Sequence, residues 1–380
     1  MEVVYRGIDQ LDISFQGALS FDVRERLRAA RARAAAQGAP EFIEINGVKG
    51  HVAGHGIGRQ GFSFIFDTGP DGETWKIKDN GEVDLHNIFV EPRSAQLAVR
   101  GYAGIKAALW ERLEALEARV VTESINRVDY AVDIVAPDFE PDPKAISCHS
   151  RAKIRPFYGI PKAGDQDVPR PILRGRRYVG MMVGQQPNRQ VEVYDKRLQV
   201  MDRVKETRHW LDIWGFDRDE CPVVWRVEAR AGKEHLTDWR IKTFDDLEQR
   251  MGDMFAKAMC SIRFLARCPK DGENITRVPN HPLWDLAADV MRGELVDYVS
   301  GAEQGRVVEG RREEIDKRYC GQIFGLLTGL SVARQIPLSQ MTERLPSELA
   351  DDVLAFLETR WRDFRRRHDR ASKRLHFLEE

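Results

Sequence analysis

The sequence predicts an α+β fold: an antiparallel sheet with helices on one face, followed by a helical C-terminal region. Three observations point there. Between residues 9 and 230 apolar side chains recur mostly at period two, as in half-buried strands. The Asp-Gly and Asn-Gly pairs in Gly69-Pro70-Asp71-Gly72 and Asn80-Gly81 separate several of these runs, as hairpin turns do. From about residue 243 the apolar spacing becomes helical.

The elements follow in order. Residues 9–15 alternate as a strand, and residues 22–37, rich in Arg and Ala, form a surface helix with Asp22 as N-cap and Gly38 as stop. Strands are predicted at 42–46, 51–54, 61–67, 74–78 and 85–90. A helix over 102–119 places Ile105, Leu109, Leu113 and Leu116 on one stripe. The strand 127–135 stops before Pro137, and a polar connection fills 136–172. Strands 178–183 and 190–196 follow, then a helix over 197–213 and a strand over 223–230. Helices cover 244–267, 283–299, 310–334 and 346–374, with the breaker segment Cys268-Pro269-Lys270-Asp271-Gly272 between the first two. The change of pattern divides the chain into an α+β domain, 1–245, and a helical domain, 246–380.

Composition narrows the class. With 380 residues, 42% apolar and 31% charged, the chain is long enough for two folded domains. A net charge of -1 excludes a global polycation but leaves room for a locally basic face. Five cysteines, an odd number with no C-x-x-C spacing, fit a reducing cytoplasm and argue against a structural zinc. No signal-peptide core and no membrane-length apolar run is found, so a cytoplasmic protein without a membrane partner is expected.

Three strands share an unusual face. Sorted by parity, 127–135 carries Arg127, Asp129, Ala131 and Asp133 on one side; 190–196 carries Gln190, Glu192, Tyr194 and Lys196; 223–230 carries Arg226, Glu228 and Arg230. The opposite sides are apolar. Such a face is either a solvated sheet surface or the wall of a site. Asp is disfavoured in mid-strand, yet it occurs twice in one strand, which tilts the reading toward a site.

A phenol, an ammonium, carboxylates and guanidiniums on one face suit phosphoryl transfer on DNA. Tyr194 supplies a nucleophile for a phosphodiester. Its phenol, ordinarily near pKa ~10, needs a neighbour to take its proton, and Lys196 is two residues away. Carboxylates suit a divalent metal, and Arg226 and Arg230 suit the phosphate charge. Asp129 and Asp133 are about 13 Å apart along a regular strand, so both cannot hold one ion. Asp129 is therefore taken as a ligand with Glu228 as its cross-strand partner, and Asp133 as a salt-bridge or turn residue.

Three motifs in this order, R-x-D-x-A-x-D at Arg127–Asp133, Y-[DN]-K at Tyr194-Asp195-Lys196 and R-x-E at Arg226-Val227-Glu228, resemble those of the replication initiation factor family. That family comprises rolling-circle initiators of plasmids and phages and relatives among conjugative relaxases. The resemblance covers roughly residues 100–245. It implies a site-specific DNA nickase that joins a strand covalently through Tyr194 and leaves a 3′-OH, with Lys196 and Arg226 supporting the reaction. It also implies a Mg²⁺ or Mn²⁺ ion, for which Asp129, Glu228 and Glu192 are the candidate ligands. DNA, at a replication or transfer origin and as a single-stranded or cruciform nick site, is the expected partner, contacted by Arg127, Arg189 and Arg230. Host helicase and polymerase, and a second copy of the chain, are further partners. One departure stands out: many relatives carry Arg two residues before the tyrosine, where this chain has Glu192. The same motifs also fit a relaxase, or a DNA-binding protein that has lost nicking.

Two other features compete for a role. His51 and His55 lie in a Gly-rich stretch, at a spacing that does not align both rings on one metal from a strand. The basic segment 360–374 holds Arg362, Arg365 and Arg366 beside Trp361 and Phe364. It is either a solvated helix end or a DNA-backbone contact, and the density of arginine favours DNA.

Overall fold

The computed structural model describes residues 1–148, 170–174, 177–201, 209–293, 295 and 304–378. In chain order it comprises β1 (Glu2–Leu19), α1 (Phe21–Gln37), β2 (Glu41–Ile45), β3 (Val48–Val52), β4 (Phe64–Asp67), β5 (Glu73–Ile77), β6 (His86–Pro92), α2 (Ser94–Ala115) and β7 (Ala118–Val135). There follow β8 (Ile146–Cys148), β9 (Arg170–Arg174), β10 (Arg177–Gly184), β11 (Arg189–Asp195), α3 (Lys196–Val200), α4 (His209–Trp214), β12 (Val224–Gly232), α5 (Lys233–Asp238), α6 (Phe244–Ser261), β13 (Ile262–Phe264), α7 (Pro282–Val290), α8 (Gln304–Ala333) and α9 (Met341–Arg374).

Eleven of these strands form a single antiparallel sheet in the order β2-β3-β4-β5-β6-β1-β7-β12-β11-β10-β9. At its centre β1 and β7 pair from end to end, Glu2 opposite Val135 and Leu19 opposite Ala118. Each long strand is joined on its outer side by the strand that closes its own half of the chain, β6 on β1 and β12 on β7. The register between β1 and β7 breaks four times, once at Asp9, which is an extra residue between the pairs Ile8–Tyr130 and Gln10–Asp129. Such a bulge turns two successive side chains toward the same face.

The period-two alternation puts Leu11, Ile13, Phe15, Val128, Tyr130, Val132, Trp225 and Val227 on one face of the sheet, all buried. Helices α1, α2 and α6 cover it with Val23, Leu27, Ile105, Leu109, Leu247, Met251 and Phe255, in one continuous core. Full burial of each large apolar side chain contributes roughly 1.5–3 kcal/mol. The helices start and stop for local reasons. Ser20, not Asp22, caps α1, its side chain accepting from Val23 N, and Gly38 ends the helix in the left-handed region at φ 67°. Thr243 and Asp246 form a reciprocal capping box on α6.

Three expectations change. Helix α6 ends at Ser261, and the chain then runs extended as β13 against β8, because Ile262 and Phe264 alternate into the core. The predicted boundary at 245/246 falls inside one compact unit, Met1–Glu303, since the apolar stripe of α6 packs on the sheet, Phe255 against Tyr130 at 5.9 Å between ring centroids. Helices are also not confined to one face: α4 lies over the polar side. Parts of the predicted connection 136–172 and of helices 197–213 and 283–299 lie outside the described residues.

The second unit, Gln304–Glu380, is a helical hairpin. Arg334 pairs with Glu348 at 3.5 Å near its turn, and Arg374 donates to the Tyr319 hydroxyl at 2.8 Å near its open end. Among the described residues no helix is long and apolar enough to cross a membrane.

Candidate active site

The sheet order makes neighbours of the three strands whose polar faces stand out in the sequence. Across β11, β12 and β7 the register sets Tyr194 opposite Arg226 and Arg226 opposite Asp133; two steps along, Glu192 faces Glu228; two further, Gln190 faces Arg230 and Arg230 faces Asp129. Burial decides between solvated surface and site wall. Asp129, Asp133, Glu192, Lys196, Arg226 and Glu228 each expose 8% or less, far below a solvated β face. They form two ion clusters with Tyr194 between them.

The first cluster is centred on Arg226, which is fully buried. Its Nε and Nη2 donate to the two oxygens of Asp133 at 2.6 and 2.8 Å, and its Nη1 donates to Asp9 at 2.7 Å. Trp214 donates its indole N–H to Asp133 at 2.8 Å, and the Arg226 guanidinium lies 4.0 Å from the Trp210 ring centroid. Burial pushes the Asp9 carboxyl up, but Arg226 and Lys196 outweigh it and the net direction is down. The sequence assigned Arg226 to the phosphate. In the structure each nitrogen of the guanidinium donates to a carboxylate, and the Trp210 ring of α4 lies over it. Asp133 has the salt-bridge role expected of it. Asp9, Trp210 and Trp214 were not singled out. Asp9 enters only through the bulge in β1, and the two indoles come from a helix that sequence parity cannot place over a sheet face.

The second cluster is centred on Arg230. Its Nε and Nη2 donate to Glu228 at 2.8 and 3.0 Å. The same Nη2 lies 2.5 Å from Glu192 Oε2, an ion pair without hydrogen-bond alignment, and Nε is 3.8 Å from Asp129. Two glutamates directly opposite on adjacent strands repel, and Arg230 relieves that repulsion. Asp129 also receives two hydrogen bonds from Arg127, at 3.0 and 2.5 Å. Burial pushes Asp129 up to about 8 against these cations, with Glu228 acting in the same direction.

Tyr194 stands partly exposed between the clusters. Its hydroxyl donates to Glu228 Oε2 at 3.1 Å. Burial, then the Glu228 charge, raise its phenol well above the ordinary value. Opposite it on β10 is Gly180, where an added Cβ would come within 2.7 Å of Tyr194 Cβ and 2.8 Å of Val193 O; the absent side chain seats the tyrosine. Lys196 is not on the strand, as parity predicted, but opens α3. Asp195 ends β11 by accepting from Leu198 N at 3.1 Å, an N-cap that turns the chain. The Lys196 ammonium then lies 5.7 Å from the Tyr194 ring centroid and 4.9 Å from that of Trp210. Burial, then Arg226, bring its pKa down to about 8.

The expected metal set, Asp129, Glu192 and Glu228, does converge, but as arranged it does not fit a divalent ion. Among the described residues no group of three or more His, Cys, Asp or Glu side chains is arranged to hold one. Both oxygens of Glu228, both of Asp129 and Oε2 of Glu192 already face a guanidinium. A divalent ion about 4 Å from the Arg230 charge would meet a repulsion of about 8 kcal/mol at an effective dielectric constant of about 20.

Within the first unit, Arg189, His51 and His55 lie apart from this site. Arg189 donates to the Ser261 hydroxyl at 2.5 Å. His51 sits on β3, with six strands between it and β11, about 34 Å of sheet at ~4.8 Å per strand. His51 packs edge-on to Phe42, and His55 follows in an exposed loop, so neither approaches Tyr194. Arg362, Arg365 and Arg366 are exposed on α9 in the second unit, with Arg366 paired to Asp363 at 2.7 Å.

No family model and no curated protein matches the chain. Among solved structures, a rolling circle replication initiator protein from Geobacillus stearothermophilus is similar to it with a TM-score of 0.39 and 16% identity, over 79% of this chain and 99% of that one.

Proposed function

We propose that this chain initiates DNA replication of the rolling-circle type as a strand transferase, with Tyr194 as its nucleophile. The observation that carries the reading is a partly buried phenol held by a carboxylate between two buried ion clusters, with a lysine of lowered pKa near its ring. A tyrosine in a merely structural sheet has no need of that surrounding. In the reaction, Tyr194 Oη bonds to the scissile phosphorus, the P–O3′ bond breaks, and the 3′ oxygen leaves and takes a proton from solvent. Lys196, 5.7 Å from the Tyr194 ring centroid, accepts the phenolic proton through one water once the hydroxyl turns from Glu228. With its pKa brought down to about 8, roughly one tenth of it is neutral at pH 7, against well under a thousandth for an ordinary lysine. Glu228 orients the phenol, and Arg226 with Asp133 and Asp9 fixes the wall.

The test compares wild type with Tyr194→Phe on supercoiled DNA carrying the origin. Wild type nicks and leaves a protein–DNA adduct that resists denaturation; the variant, which keeps the ring and loses the hydroxyl, does neither. A wild type without nick or adduct sinks the reading, and a Phe variant that still nicks moves the nucleophile elsewhere.

A further inference from the structure

We infer that Arg230 is the resident cation of the carboxylate cluster: Asp129, Glu192 and Glu228 are arranged around a guanidinium and hold no divalent metal while it is there. Three facts carry this. The cluster has the composition of a metal site, three carboxylates from three adjacent strands, buried to 1%, 8% and 2% exposure. Buried carboxylates demand a cation, and a pair of them set directly opposite demands it most. The cation comes from the chain itself, because the register places Arg230 opposite Asp129 and one alternation from Glu228, where its fork spans both neighbours.

The charge at Glu192 fits the same account. This chain carries an acid two residues before Tyr194, and the acid is matched across the strand by Arg230. A guanidinium differs from a metal in what it offers a substrate. It cannot take a phosphate oxygen into a coordination shell, but it presents further N–H donors in a fixed plane to a phosphate approaching Tyr194. That last role rests on the strand-transfer reading; the occupancy of the cluster does not.

The experiment titrates the full chain with Mn²⁺ by electron paramagnetic resonance and follows melting in MnCl₂ against NaCl of equal ionic strength. Wild type is expected to bind no stoichiometric Mn²⁺ and to melt alike in both salts. Arg230→Met is expected to melt lower in chelator, to bind one Mn²⁺ and to regain its melting temperature with it; Glu228→Gln added to that variant removes the rescue. Stoichiometric Mn²⁺ on wild type that Glu228→Gln abolishes overturns the inference, and this arm decides even where Arg230→Met does not fold. A folded Arg230→Met that takes up no Mn²⁺ also overturns it. On origin DNA, nicking is expected at equal rates in EDTA and Mg²⁺, and a strict metal requirement counts against the inference. Absence of nicking in both sinks the strand-transfer reading alone, since the Mn²⁺ result stands by itself.

Discussion

Tyr194 and Glu228 lie on adjacent antiparallel strands, two residues out of register, and the phenol donates diagonally to the carboxylate at 3.1 Å. The contact orients the nucleophile but opposes its ionisation, because the Glu228 charge raises the phenol further above a value that burial has already lifted. Glu228→Gln keeps an acceptor and removes the charge. The Tyr194 phenol is expected to ionise at lower pH in that variant, read from phenolate absorbance with Tyr194→Phe as the blank. An unchanged titration would show that burial alone sets the phenol.

Arg226 and Asp133 form a bidentate pair with no solvent exposure on either side. Removing one member leaves a buried charge without its partner, a loss of roughly 3–5 kcal/mol. Asp133→Asn and Arg226→Met are each expected to lower unfolding free energy by about that much in urea. The double variant Arg226→Met/Asp133→Asn is expected to lose less than the sum, the signature of a coupled pair. Additive losses would mean that Asp9 and the indoles hold Arg226 without Asp133.

Gly180 bounds the seat of Tyr194 from β10. A Cβ there meets backbone and Tyr194 Cβ rather than the tip of a flexible chain, so the strand pair must part to accept it. Gly180→Ala is expected to slow nicking at least tenfold. Gly325→Ala on α8, where an added Cβ meets nothing within 4 Å, is expected to leave the rate unchanged. Equal rates for the two variants would mean that the position of Tyr194 tolerates the shift.

Much of this arrangement is legible in the sequence, for a definable reason. Period-two alternation fixes which residues share a face, so Glu192 with Tyr194, Arg226 with Glu228 and Arg230, and Asp129 with Asp133 could be sorted without coordinates. Gly38 and the two hairpin turns mark local geometry and are local in their cause. Partnership is another matter. Arg226 was read as a phosphate ligand because parity says which way a side chain points, not which acid it meets. Its partner Asp9 lies more than two hundred residues away and turns inward only through a bulge, whose register shift leaves no mark in composition. The Asp195 cap that moves Lys196 from strand to helix likewise depends on where one ladder ends.

In the second unit, Arg362 and Arg365 are exposed on α9, next to the stacked rings of Trp361 and Phe364 at 5.7 Å. If this face meets the DNA backbone, each arginine releases counterion from one phosphate. Replacing Arg362, Arg365 and Arg366 with Ala is expected to reduce the slope of log K against log salt by about 2–3. An unchanged slope in a fluorescence-anisotropy titration would assign the segment to solvent.

Lys196 supplies a pH dependence of definite sign. Its pKa is about 8 in the folded chain against an ordinary 10.5, because burial and then Arg226 disfavour the ammonium. The unfolded chain therefore holds more proton than the folded one between these values, and stability rises with pH from about 8 to about 10.5. The contribution is lost as pH falls through about 8, and its full size is about 3 kcal/mol. Lys196→Met removes the titrating group, so its unfolding free energy is expected to lack that rise and, near pH 7, to match or exceed wild type. Activity must move the other way. A neutral Lys196 accepts the phenolic proton, so the nicking rate of wild type is expected to climb tenfold per pH step below about 8 and level off above it. Lys196→Met is expected to be slow and without that climb. A variant that is more stable, yet has lost the ascending limb of its rate profile below about pH 8, separates proton transfer from any structural role of this lysine. A variant that keeps the limb would return the base to another residue.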